Sequence, residues 1–482
     1  MMIVSKSFND FPIDVIDEIF AQCVPSETFL PPLDPKLAPL LLMHVCSSWR
    51  KIALGVSRLW SSFAVASPWF DLDRIINDEL IFERRIRRFL AQSLEQIALW
   101  QMATKSSEVS LSLSLYDPPA IEPQSWRSVI ESTVLVSAHA IRRLKLSFIP
   151  YELVDVFSAF GASNFNALES LDLGAGITRT TAFEILSSFL EAPKLRRLQS
   201  AYFPLEFQPS NVTHISLTSP TSSATFRSIL QGVPRLERLS IVIDIDIISS
   251  PIMITAPNLT ALSLTLKTFT GPKLFQSLYF PALDYLYFCC SSDLGHIYFN
   301  WQSGTLGMSQ HLTSQLRQLQ TLRLGYHDIE SHVLLDVLHS TPDLVNLVVD
   351  SELVKYRAFL VGLTNVKDRE PILPKLQHFT TFIDVASADA NERFKAETAG
   401  LGDALMQMIL SRTPRPTAKV LTHLSDAPLP LRKVLLCHDG GNAFSDIVAA
   451  PLKACQELDH LSFEMREDHS KRNWVIEEQW FW

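Results

Sequence analysis

Cys437, His438 and Asp439 stand side by side in the run CHDGGN, and thiol, imidazole and carboxylate are groups that nucleophilic catalysis uses. Catalytic groups meet in space rather than as adjacent letters, so Asp439-Gly440-Gly441 reads as a turn. His327, His332 and His339 lack the i, i+4 spacing and the carboxylate frame of a metal site and read as packing or surface histidines. GAGITR, from Gly174, has two glycines of a dinucleotide fingerprint without the third, which also favours a turn. Arg84, Arg85, Arg87 and Arg88 could face a phosphate backbone or solvent. With 42 Lys and Arg against 51 Asp and Glu, the net charge of −9 argues against nucleic acid. HExxH, GxSxG and Walker A patterns are absent. No catalytic, cofactor-binding or metal-ligating residue is therefore expected, and the chain reads as a non-enzyme.

The elements around these residues are more informative. Hydrophobic residues make up 47% of the 482 and charged residues 19%, enough for a large core. Apolar runs stay short of a membrane span, and no secretory pattern opens the sequence. The six cysteines form no CxxC pair and suit reduced, buried thiols inside a cell. The sequons at Asn211 and Asn258 are then chance matches.

From about residue 140 one frame recurs, in which an apolar residue is followed three and then two positions later by others. NALESLDLG, APKLRRLQSA, VPRLERLSIV, APNLTALSLT and TPDLVNLVVD are examples. The first anchors are Leu168, Leu195, Val212, Leu236, Leu259, Leu283, Leu319, Leu344, Leu376, Leu431 and Leu458. Their spacing is close to that of a leucine-rich repeat. It widens to 36 between Leu283 and Leu319 and to 55 between Leu376 and Leu431, which marks insertions around 290–315 and 385–425. The last two apolar positions point to one side of a short strand. TAFEILSSFL, ATFRSILQG and HVLLDVLHST have helical spacing and return the chain. Pro193, Pro234, Pro257, Pro281, Pro342 and Pro374 stand just before the strands. Eight residues past the anchors, where an asparagine ladder belongs, stand Gly176, Phe203, Asp244, Lys267 and others, so the geometry should be uneven.

Ahead of the repeats, IDVIDEIFAQC places Val15, Ile19, Cys23, Ile16, Phe20 and Ile13 on one side of a helix. Asp10 could cap it, with Pro12 near its first turn. LLLMHVCSSWRKIA predicts a second helix with Val45, Trp49 and Ile52 on its apolar face, after prolines at 25, 31, 32, 35 and 39. LIFERRIRRFLAQSLEQIALWQM follows helical spacing, and EVSLSLSLY alternates as a half-buried strand. A unit of two or three short helices buries too little to stand alone. Either it caps the downstream fold or another protein covers it.

FPIDVIDEIFAQC…LLMHVCSSWRKIALGVSRLWSSF resembles an F-box, in the F-box-like form abundant in mushroom-forming fungi. The matching residues are Phe11-Pro12, Ile16, Ile19-Phe20, Val45-Cys46, Trp49-Arg50, Ile52-Ala53 and Leu59-Trp60, in about the first eighth of the chain. The proline-rich stretch from Pro25 to Pro39 is longer than in many F-boxes. The downstream frame resembles the irregular leucine-rich repeats that F-box proteins often carry. The resemblance implies docking to the Skp adaptor of a cullin-based SCF ubiquitin ligase, with the repeats choosing a target. Its alternative is a repeat-based scaffold outside SCF, whose N-terminal helices only cap the solenoid.

The expected fold is α/β: an F-box-like module over 8–66, linker helices over 67–105, and a leucine-rich-repeat solenoid over 106–482. The expected adaptor contacts are Phe11, Pro12, Ile16, Ile19, Phe20, Val45, Trp49 and Ile52. Arg197, Glu237, Arg323 and Asp350, between anchors, are the expected target contacts, together with the 385–425 insertion. Trp474, Trp480, Phe481 and Trp482 are expected either to close the solenoid's end or to meet a partner. Neither nucleic acid nor membrane is an expected partner, and the expected compartment is cytoplasm, nucleus or both.

Overall fold

Six of the strands are entered through one kind of turn, and a proline sets it. In Ala192-Pro193-Lys194-Leu195 the Leu195 N–H donates to the Ala192 carbonyl at 3.1 Å. The same bond closes Val233 to Leu236, Ala256 to Leu259, Phe280 to Leu283, Thr341 to Leu344 and Leu373 to Leu376. Proline occupies the second position of all six turns, where its fixed φ is already suitable and its missing N–H is not needed. The residue after the anchor then ties one strand entrance to the next. Glu237 O accepts from Thr260 N at 2.8 Å and Ala261 N at 3.1 Å, and Asp284, Gln320 and Val345 each accept the equivalent pair.

The computed structural model describes residues 11–24, 36–66, 79–104, 108–115, 123–204, 206–244, 253–267, 278–290, 316–325, 331–350, 357–366, 370–383, 400–412, 429–438, 455, 458 and 461–467. Two units are distinguished, the first running through Ser219 and the second starting at Pro220.

The first unit opens with α1 (Ile13–Gln22), α2 (Leu40–Val45) and α3 (Ser47–Gly55), followed by β1 (Ser62–Ala66) and the long α4 (Glu79–Thr104). Then come β2 (Val109–Ser114), α5 (Pro123–Ile130), β3 (Ile141–Ser147), α6 (Val154–Phe160), β4 (Ser170–Leu173), α7 (Arg179–Phe189), β5 (Arg197–Ser200) and β6 (His214–Thr221). Each strand from β2 to β6 lies parallel to its predecessor. Leu111, Leu144, Leu171, Leu198 and Ile215 fall in one buried row. Each fully buried side chain of this kind contributes about 1.5–3 kcal/mol.

In the second unit α8 (Ser223–Gly232) leads into β7 (Arg238–Ile243). The two-residue β8 (Ile254–Thr255) precedes β9 (Ala261–Leu266), and β10 (Leu278–Tyr279) precedes β11 (Tyr285–Cys290). Then follow β12 (Thr321–Gly325), α9 (Ser331–His339), β13 (Asn346–Asp350), α10 (Arg357–Leu363), β14 (His378–Ile383), α11 (Leu401–Ser411), β15 (Lys433–His438) and β16 (Ser462–Glu467). β7, β9 and β11 to β16 pair in that order, all parallel, while β8 pairs with β10. The chain is thus α/β, with parallel strands joined by helices. Ser222 and Thr178 cap α8 and α7 by accepting from Thr225 N and Thr181 N, the usual role of a hydroxyl at a helix start.

Several sequence expectations change. Ser62–Ala66, placed by sequence in the N-terminal module, is a strand of the sheet, whereas α4 lies within 67–105, where helices are expected. The single helix expected across LLLMHVCSSWRKIA is two. Cys46 is extended (φ −161°, ψ 171°), and its Sγ accepts from Trp49 N as the cap of α3. Arg50 Nε donates to Met43 O at 3.0 Å, satisfying a carbonyl that the break leaves open. Cys23 and Cys46 are exposed, against the expectation of buried thiols, whereas Cys289, Cys437 and Cys455 are buried. The expected insertion over 385–425 contains α11, with Leu401, Ala404, Leu405, Met408 and Ile409 buried, so that part of it is core. Among the described residues, no helix is long and apolar enough to cross a membrane.

Candidate docking surfaces

Three short helices cannot bury all their apolar residues among themselves, and α1 to α3 divide them sharply. Ile16 is 2% exposed and Phe20 fully buried, with the Phe20 ring 5.0 Å from that of Trp49. Trp49 and Ile52 are half-buried. Ile16 and Phe20, expected on the contact face, therefore belong to the module's own core. Phe11, Pro12, Ile19 and Val45 are exposed, Val45 at 56%. Ile13, Val15 and Leu41 join the exposed apolar set without having been named as contacts. Val15 and Ile19 stand one turn apart on α1, and Leu41 and Val45 one turn apart on α2, so each helix presents an apolar pair to the outside. Helical spacing defined the apolar faces but not which edge of each face stays open.

Polar contacts fix the module's shape. Arg58 donates to Glu18 at 2.9 Å, joining α1 to the turn that follows α3. Gln22, and then Arg58, hold the Glu18 carboxyl below its ordinary range by hydrogen bonding to its charged form. Trp60 Nε1 donates to Ala53 O at 2.8 Å, and Trp100 Nε1 donates to Trp60 O at 2.7 Å. The Phe63 ring on β1 stacks on Trp100 of α4 at 4.6 Å. The helical module is thereby fastened to the edge of the first unit's strands.

The strand faces are the second surface. Arg197 opens β5 and is half-buried, and Glu237 is exposed just before β7. Arg323 on β12 lies over the Tyr287 ring of β11, 5.1 Å from its centroid, and Asp350 ends β13 opposite Gly325. Arg197 belongs to the first unit and the other three to the second, where Arg323 and Asp350 occupy different rows.

Two rows were not singled out from sequence. In the second unit Asn346 Nδ2 donates to Thr321 Oγ1 at 3.0 Å, and His378 Nδ1 meets Asn346 Oδ1 at 2.5 Å, one polar run across three strands. Burial first, then the charges of Lys433 and Arg432, hold the His378 imidazole below its ordinary pKa. In the first unit Arg143, Ser170, Arg197 and His214 are successive partners across β3 to β6, with Lys145, Asp172, Gln199 and Ser216 two residues on. Lys145 Nζ lies 3.1 Å from Asp172 Oδ2, at ion-pair distance but without hydrogen-bond alignment. Burial pushes the Asp172 carboxyl up, and Lys145 opposes the shift. The signal was present: apart from Gln199, which precedes Ser200, each row member immediately precedes a second or third apolar position of the repeat frame.

Among the described residues, the chemical candidates of the sequence are not brought together in one place. Gly176 sits in a turn with φ 73°, and a Cβ there would stand 2.1 Å from the Phe148 ring. Arg84, Arg87 and Arg88 are exposed on α4. His339 Nδ1 contacts Leu335 O at 2.8 Å, a local helix contact. His327, Asp439 and residues 474–482 lie outside the described residues. Among the described residues, no group of three or more His, Cys, Asp or Glu could hold a metal ion. No protein-family model matches the chain, and no curated protein does.

Proposed function

We propose that the chain is a substrate receptor of a cullin-based ubiquitin ligase. In this reading α1 to α3 form an F-box-like module that docks to the Skp adaptor, and an irregular leucine-rich-repeat solenoid holds the target on its strand face. The carrying observation is the division of the N-terminal helices. Ile16 and Phe20 close a private core, while Val15, Ile19, Leu41 and Val45 stay exposed in pairs on two helices that each pack on α3. Exposed apolar pairs on a rigid scaffold are what a protein interface uses as anchors. The recurring proline turn and the shared carbonyl at each strand entrance support the repeat reading of the remainder.

The Trp60–Trp100 and Phe63–Trp100 contacts favour a second reading, in which the helices only cap the strands. Co-purification separates the two. Tagged chain expressed with Skp adaptor and cullin should retain both, and Ile19→Asp with Val45→Asp should release them while circular dichroism stays unchanged. Retention of neither by the folded wild type favours the cap.

A further inference from the structure

We propose that the strand face of the first unit binds a short acidic segment of a protein partner, read by Arg143, Arg197 and His214 with Lys145 beside them. This deepens the reading above, since it rests on targets being held on the strand face, but it does not depend on adaptor docking.

The row is set by register. Arg143 pairs with Ser170, Ser170 with Arg197, and Arg197 with His214. Their neighbours Leu144, Leu171, Leu198 and Ile215 are buried on the opposite side, so strand alternation puts the row on the other face, where Ser170 is buried and Arg143, Arg197 and His214 are half-buried. With strands about 4.8 Å apart, the row is about 14 Å long, the length of about four extended residues. The Arg142 guanidinium is engaged by Glu108 at 3.2 Å and Glu169 at 2.8 Å, and Lys145 by Asp172.

The electrostatics show crowding of like charge. Burial lowers the Arg143 pKa first, the charges of Arg142 and Arg197 lower it further, and Glu169 opposes them. A carboxylate arriving at the row relieves that repulsion and accepts from planar guanidinium forks shaped for it. A short peptide fits better than a nucleic acid, because the row is brief and the whole chain carries −9.

The test is fluorescence anisotropy of a labelled oligoglutamate peptide titrated with the full chain at low salt. Binding should appear and should weaken as salt shortens the screening length. The double variant Arg143→Gln, Arg197→Gln should weaken it about tenfold or more, the loss of about 1.4 kcal/mol or more. Arg84→Gln with Arg88→Gln, which removes the same charge from α4, should leave it within about twofold of wild type. Arg143→Lys with Arg197→Lys keeps the charge but loses the guanidinium forks, so its binding should fall between those of wild type and the glutamine variant, which guards against a folding defect in the latter. Failure of oligoglutamate to bind at low salt, or equal losses in the row and α4 variants, overturns the proposal. So does single-stranded DNA of equal charge that binds more tightly and loses its affinity in the row variant, since that result assigns the row to nucleic acid. No adaptor is present, so oligoglutamate binding alongside failed adaptor capture refutes only the docking reading.

Discussion

Arg412 is a buried cation whose removal should be costly. It follows α11 directly and is 3% exposed. Its Nε and Nη2 donate to Leu363 O at 3.0 and 2.9 Å, its Nη1 donates to Leu373 O at 3.0 Å, and Nη2 also reaches Ile372 O. Leu363 is the last residue of α10, where backbone carbonyls lack helical partners and the dipole favours a cation. Leu373 has φ 57°, an unfavourable conformation for leucine, at the turn into β14. Four bonds from a charged donor, at about 1.5 kcal/mol each, give about 6 kcal/mol. Burial alone pulls the Arg412 pKa down to about 10, well below the ordinary guanidinium range, equivalent to about 3 kcal/mol against the charged form. Arg412→Met removes both effects and should cost about 3 kcal/mol. Arg412→Lys should cost at least as much, because an ammonium keeps the charge but cannot span three carbonyls. Urea unfolding followed by intrinsic fluorescence reads the difference. A methionine variant within about 0.5 kcal/mol of wild type would show that the carbonyl bonds merely offset the burial of their own charge.

Three further outcomes are expected. His378 has a folded pKa below its unfolded value of about 6.5, so the unfolded chain binds more protons as pH falls from there; stability should be full above that pH and decline below it. His378→Gln should flatten the melting temperature between about pH 7.5 and 5, and an unchanged decline would assign it to other groups. Gly176→Ala should destabilise by about 2 kcal/mol or more, from positive φ and the Phe148 ring, whereas Gly55→Ala, with nothing within 4 Å of the new Cβ, should be neutral or stabilising; equal effects would contradict the steric reasoning. Asn258→Ala should cost about 1 kcal/mol in urea unfolding by removing the 2.9 Å bond to Pro234 O, and no loss would mean the bond is replaced by water.

The repeat frame and its prolines were legible because strand alternation and turn chemistry are local. LxxLxL placed Leu171, Leu198 and Leu262 on the buried side, and the six prolines marked six turns. The missing asparagine ladder hid a different device. The residue before an anchor donates to the proline carbonyl of the preceding turn, as Asn211 does to Pro193 and Asn258 to Pro234, with Gln318 bonded likewise to Pro281. An asparagine ladder stands eight residues past the anchor, whereas these amides stand one residue before it. The break at Cys46 was hidden because its sulfur cap and the Arg50–Met43 bond depend on geometry that periodicity does not encode. The division of the N-terminal apolar residues into buried and exposed sets was half legible. A helical wheel finds Ile16, Ile19 and Phe20 together, but burial against Trp49 is a tertiary fact that divides them. Buried Arg412 was invisible, since its partners are backbone carbonyls some 40 to 50 residues away in sequence.

Calorimetric titration of purified Skp adaptor into the full chain tests the proposed docking most directly. Val15 and Ile19 are still about two-fifths exposed, so each has about 1 kcal/mol of apolar burial left to contribute, and an aspartate in a covered site adds a desolvation cost. Wild type should bind with saturable, one-to-one stoichiometry, and Val15→Asp with Ile19→Asp should weaken binding by about a hundredfold or more with helical content unchanged. A folded wild-type chain that takes up no adaptor, under conditions where a control F-box protein saturates, would contradict the docking function.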